Sequence, residues 1–104
     1  MIKEPPGGRG PARWNVVVTV RVFVTDAESP TGLSRTACDR VKAAVARAGE
    51  RAELRVLPLA GDEALDFGAH ADPTVVVGDL VLFSGTAPSA GRVLRAIDAV
   101  GGSA

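Results

Sequence analysis

The sequence predicts an α/β domain: a mixed four-stranded sheet built in the order βαβαββα, with helices on both faces. Three observations carry this expectation. Val16, Val18, Val20, Val22 and Val24 hold one parity of a β-branched run, the composition of a pleated, buried surface. Leu33, Ala37, Val41, Ala44, Val45 and Ala48 then recur at helical spacing. Finally, the β-branched run 74–77 and the apolar run 80–83 are separated only by Gly78-Asp79, a hairpin signal. A helix between the first two strands makes them parallel through a right-handed crossover. The two-residue turn makes the last two antiparallel. A ferredoxin-like βαββαβ order would need a hairpin between two helices and a final strand, whereas here the hairpin comes late and the chain ends on a helix.

In chain order, residues 1–13 hold three prolines and three glycines with few core-forming side chains. Such a segment cannot offset its ordering entropy by burial and is expected to be a disordered arm. The domain is expected over 14–101, with 102–104 a short tail. Trp14 opens the first strand, whose other parity (Asn15, Val17, Thr19, Arg21, Phe23, Thr25) is apolar only in places, as in a central strand whose start overhangs the core. Residues 26–30 form a polar turn. The first helix runs over about 33–48, with Arg35, Asp39, Arg40, Lys42 and Arg47 outside, and Gly49 ends it. The second strand, 53–59, carries Pro58, which marks an edge or a strand exit. A brief helix follows over 63–69 with Asp62 as its N-cap. The last helix starts behind Ser89 as N-cap. It carries Val93, Leu94, Ile97 and Val100 on one face, opposite Arg92, Arg95 and Asp98.

Composition removes several function classes. The 104 residues include 12 Lys plus Arg against 12 Asp plus Glu, and only 4% aromatics. That balance provides neither the basic footprint nor the stacking platform of a nucleic-acid binder. A single cysteine rules out an intrachain disulfide, a CxxC pair and a cysteine-based zinc site, and a single histidine removes most other metal readings. The run 16–24 is too short to span a membrane and is interrupted by Arg21. The start of the chain has no secretory apolar segment. The expectation is a cytoplasmic protein with no metal, no cofactor and no membrane or nucleic-acid partner.

The order of elements and several motifs resemble the thioredoxin-like fold in its small, glutaredoxin-sized form. Phe67-Gly68-Ala69-His70-Ala71-Asp72-Pro73-Thr74 resembles the stretch in which an aromatic-Gly pair precedes that family's cis-proline. Val77-Gly78-Asp79-Leu80-Val81 resembles the hairpin after it, and Gly85-Thr86-Ala87-Pro88-Ser89 the start of the last helix. The likeness covers about residues 15–100. It places the family's CxxC at Thr31-Gly32-Leu33-Ser34 or, with a small slip, at residues 29–32. Neither alignment holds a cysteine. Disulfide exchange requires a thiolate, and the hydroxyls of Thr31 and Ser34 stay protonated at neutral pH. The resemblance therefore implies the family's scaffold without its usual chemistry. The KaiB family, also related to thioredoxin, likewise has a Thr-x-x-Ser at this loop. The late hairpin and final helix here match ordinary thioredoxin-like proteins better, so that likeness carries no clock function.

Two functions follow as expectations. The first is a redox-inactive module that binds another protein. Its surface would be the loop that replaces CxxC (Ser29, Thr31, Gly32, Ser34) and the turn at Asp72 and Pro73, a polar version of the family's substrate groove. The second is a monothiol redox sensor or glutathione-linked protein using Cys38, which otherwise reads as a small buried hydrophobe on the flank of the helix's core stripe. His70 is expected to be a solvated loop residue directed away from Ser34 and Asp72. The start of the first helix offers amides to an anion, although Ser-Pro-Thr-Gly is common in turns. The oligomeric state is not legible in the sequence.

Overall fold

A strand with apolar side chains on both of its faces must lie inside a sheet that is covered on both sides. The computed structural model describes residues 17–101, and in it β1 (Val18–Val24) is such a strand. The sheet has four strands in the order β2-β1-β3-β4, with β2 at Ala52–Pro58, β3 at Thr74–Val77 and β4 at Leu80–Ser84. β1 runs parallel to β2 and antiparallel to β3, and β3 runs antiparallel to β4. The expected mixed sheet and element order are therefore present. Pro58 ends the edge strand, where its missing N–H interrupts no inner ladder.

The two parities of β1 feed two cores. Val18, Val20, Val22 and Val24 are buried with Cys38, Val41, Ala44 and Ala48 of α1 (Gly32–Ala48) and with Val93 and Ile97 of α3 (Ala90–Val100). The helical stripe of α1 is made of small residues, which lets α1 and α3 pack side by side on one face of the sheet. On the opposite face, Phe23 and Val76 meet Ala64 and Ala69, at and just beyond α2 (Asp62–Asp66). Phe67 closes this smaller core, its ring 6.1 Å from that of Phe23 and tilted by 41°. Arg21, on the same side, lies 4.8 Å from the Phe67 ring centroid. Its Nε donates to Glu63, which also accepts from Arg55 on the neighbouring strand. The helices thus lie on both faces, α1 and α3 on one and α2 on the other.

Several boundaries depart from the sequence reading. Leu33 was expected on the core stripe of α1 but is 50% exposed, because it sits in the first turn, beyond the end of the sheet. Asp62 is the first residue of α2, and its expected capping place is held by Gly61, with no side-chain cap. α2 stops at Asp66 short of the expected end. Gly68 takes φ 68°, and the Gly68 and Ala69 amides donate back to Leu65 and Ala64, a Schellman closure. Ser89 caps α3 as expected, its hydroxyl accepting from the Arg92 amide at 3.2 Å. One irregularity was not foreseen. Between the Val75–Phe83 and Val76–Val81 pairs, Leu82 is an extra residue in β4, a bulge. The arm at 1–13, the strand opening at Trp14, Asn15 and Val16, and the tail at 102–104 lie outside the described residues. Among the described residues no helix is long and apolar enough to cross a membrane.

The β3–β4 turn is sensitive for two reasons that act together. Gly78 has φ 61°, and an added Cβ would come within 2.5 Å of Val100 Cγ1 at the end of α3. Gly78→Ala is expected to destabilise the fold by roughly 2–4 kcal/mol, combining left-handed strain with overpacking. Gly68→Ala, which meets the same kind of φ but open space, should cost only about 1–2 kcal/mol. Equilibrium unfolding in urea checks the difference. Val100→Ala in the Gly78→Ala background should recover part of it.

Candidate functional site

The parallel pair β1 and β2 ends on the side of the sheet from which three connections emerge, and in α/β sheets this is where sites are assembled. The first connection leaves β1 at Thr25. Asp26 organises it as an Asx turn, its Oδ1 accepting from the amides of Glu28 at 3.2 Å and Ser29 at 3.1 Å. The loop passes Pro30 and reaches Thr31, the N-cap residue of α1, whose side chain makes no capping hydrogen bond. Gly32 follows with φ 58°, a value most side chains disfavour. Leu33 is then left half exposed at the tip.

The second connection, before β3, comes beside the first through one side chain. Ser34 Oγ donates to Asp72 Oδ1 at 2.5 Å, and the Thr25 amide donates to Asp72 Oδ2 at 3.0 Å. The register explains why. β1 and β3 pair from Val20–Val77 to Phe23–Thr74, and continuing outward brings Val24 opposite Pro73 and Thr25 opposite Asp72. Proline has no N–H to offer, so the ladder stops there. The Asp72 carboxylate supplies the acceptor that the Thr25 amide requires. The Asp72-Pro73 peptide bond is cis. Pro73 itself is buried, and its carbonyl accepts from the Gly85 amide at 2.6 Å. Thr74, the one buried polar residue among the described residues, donates its hydroxyl to the Ala71 carbonyl at 2.6 Å.

The structure thus brings Ser34 and Asp72 into direct contact and leaves Ser29, Thr31 and Gly32 exposed beside them. Pro73 supports this surface from beneath. His70 is exposed and lines a shallow groove on the α2 side with Thr25 and Leu65. Cys38 lies one turn further along α1 from Ser34, 8% exposed, at the wall of a separate cavity of about 330 Å³ that Ser29, Pro30 and Leu54 also line. Sequence reasoning missed Thr25 and Leu33. Thr25 was legible only as the first amide past a strand, in need of an acceptor. Leu33 was hidden by its agreement with the helical period.

Electrostatics sort these groups by chemistry. Desolvation is the largest influence on Asp72 and raises its pKa, but the hydrogen bonds from the Ser34 hydroxyl and from Thr25 together outweigh it. The carboxyl is held below its ordinary value of 3.8. A carboxylate so stabilised, with both oxygens engaged, is a poor base for the serine hydroxyl that bonds to it. The Cys38 thiol moves the other way. Burial first, and then the negative charge of Asp39, push it above 9.0, against a smaller lowering by Lys42. Nucleophilic thiols have depressed values. Among the described residues, no group of three His, Cys, Asp or Glu side chains is arranged to hold a metal ion.

No family model matches the chain, and neither the curated proteins nor the solved structures contain a match. The geometry therefore stands alone. It supplies a polar clasp beside an exposed loop.

The clasp has a pH signature. Because Asp72 is depressed in the folded state, its contribution to stability is fully present above its unfolded value near 3.8 and is lost as the pH falls through the folded value. A carboxyl-detected NMR titration should give Asp72 a midpoint below 3.8. In Ser34→Ala the midpoint should rise, and the stability difference between neutral and acidic pH should shrink. An unchanged midpoint would contradict the clasp.

Proposed function

We propose that this chain is a redox-inactive module of thioredoxin-like architecture that binds another protein through the surface where residues 29–34 meet the Asp72-Pro73 turn. One observation carries the reading above the others. Both oxygens of Asp72 are engaged, by Ser34 Oγ and by the Thr25 amide, so the position where the resembling family keeps its thiols is tied into a surface. Leu33 stands exposed at its centre, and polar Ser29 and Thr31 surround it. Protein interfaces place apolar side chains inside a polar rim, an arrangement that Leu33 with Ser29 and Thr31 can supply. The balanced net charge and the absence of a cysteine from the loop are consistent with this role. The order of elements and strand directions support the thioredoxin-like architecture.

A second reading, a monothiol sensor or glutathione-linked protein using Cys38, has one observation in its favour: the sulfur borders the 330 Å³ cavity. Its burial and its raised pKa weigh against it. Native-state thiol labelling separates the two. Cys38 is expected to react only upon unfolding, and reaction in native buffer at the rate of the unfolded chain would favour the sensor.

The binding surface is tested by affinity capture with the natural chain, Thr31→Arg and Leu33→Ser. Both substitutions are at exposed positions and should leave the fold intact, which circular dichroism checks. Capture of the cognate protein should fall by about tenfold or more, the loss expected when a central contact costs about 1.4 kcal/mol or more. Equal recovery by all three chains would overturn the proposal.

A further inference from the structure

The charges of this molecule are balanced in number but not in place. Residues 22–34 and 56–91 contain no lysine or arginine, while they carry Asp26, Glu28, Asp62, Glu63, Asp66, Asp72 and Asp79. The first of these stretches leaves β1, and the second includes the connections that lead to and from α2. On the α2 side of that end lies a groove of about 410 Å³ lined by Thr25, Leu59, Ala60, Leu65, Ala69 and His70. Leu65 is 76% exposed, a large apolar side chain held on the wall of the groove instead of in the core beneath it.

Exposed carboxylates lie close to this apolar strip along the chain, though none lines the groove itself. Asp62 precedes Leu65 by three residues and shares its side of α2. Asp66 follows Leu65, Asp26 follows Thr25, and Asp72 bonds to the Thr25 amide. The nearest cations on this face, Arg21 and Arg55, are both held by Glu63. Arg35 belongs to α1, on the other face of the sheet, and faces Asp39. His70 is the one basic side chain among the residues that line the groove.

We infer that this groove receives a cationic protein segment, one that places a large apolar side chain against Leu65 and Leu59 and lysines or arginines against Asp62 and Asp66 of α2. Apolar surface drives such a contact, and charge complementarity sets its specificity and rate. The same carboxylates repel nucleic acid and anionic lipid. This inference rests on the proposed function and names the chemistry of the partner: the groove adjoins the clasp through Thr25, so one partner can span both.

The test uses the full, isotope-labelled chain and three synthetic peptides of one length, alternating Lys with Leu, Lys with Ser, or Glu with Leu. The Lys/Leu peptide should shift the amide signals of Thr25, Leu65, Ala69 and His70. Its affinity should fall severalfold between about 0.05 M and about 0.3 M salt, as the Debye length shortens. The Lys/Ser peptide should bind more weakly. Leu65→Ser, at an exposed site, should weaken the Lys/Leu peptide about tenfold, and Asp62→Asn with Asp66→Asn should flatten the salt dependence. Equal binding of the Glu/Leu peptide, shifts confined to another face, or unchanged affinity in Leu65→Ser would each overturn the inference. Self-association of the chain that Leu65→Ser abolishes would also overturn it, by assigning the groove to a second copy. If these peptide results fail while Thr31→Arg and Leu33→Ser still block capture, only the groove's partner chemistry is wrong. If capture is insensitive to those two substitutions, the proposed surface itself is wrong.

Discussion

Val18, Val20, Val22 and Val24 close one face of β1 against α1 and α3, while Phe23 closes the other against the residues around α2. This two-sided burial is the constraint from which the remaining architecture follows. A strand buried on both faces takes a partner on each edge, and β1 has β2 on one side and β3 on the other. Because β2 is parallel and β3 antiparallel, the ends of β1 and β2 and the beginning of β3 converge on one side of the sheet. Every segment of the candidate site starts or finishes there. The site is thus a consequence of strand direction more than of any local motif.

The clasp at Asp72 shows how that geometry produces a surface. The β1–β3 ladder runs out opposite Pro73, a residue without an amide proton. A carboxylate one residue earlier accepts from Thr25 instead and reaches across to Ser34. Three chain segments are joined by one side chain, and the first turn of α1 is presented beyond the sheet with Leu33 exposed. Along the chain, residues 22–34 and 56–91 carry seven carboxylates and no lysine or arginine. Neutral overall charge therefore conceals a strongly uneven distribution, and the local balance is what a partner would meet.

Much of the fold was legible because its signals are local. The valine parity of β1, the helical period of residues 37–48, Gly49 after the helix, Gly78-Asp79 in the hairpin and Ser89 before α3 each act through neighbours a few residues away. The errors share a cause. Leu33 obeys the helical period yet lies outside the core, because periodicity reports which side of the helix a residue occupies and says nothing of where the sheet ends. Asp62 is a good capping residue, but Gly61 occupies the cap because the turn after Pro58, closed by the Gly61 amide on the Pro58 carbonyl, delivers Gly61 in extended conformation to the start of the helix. The bulge at Leu82 depends on how two strands register across a sheet, which is a property of the pair.

By itself the sequence determined the alternation of elements, the parallel and antiparallel senses of the strand pairs that follow one another, and the absence of any cysteine from the loop before α1. These follow from side-chain period, turn chemistry and residue identity, all of which are carried in short windows. Only the tertiary structure decided that Asp72 meets both Ser34 and Thr25, that Cys38 is buried with a raised pKa, and that Leu65 stands exposed on the wall of a groove it shares with Thr25 and His70. Those facts depend on residues far apart in the chain, up to 47 positions for Thr25 and Asp72, brought together by the register between β1 and β3. Register is set by packing on both faces of the sheet at once, and no short window of sequence contains it.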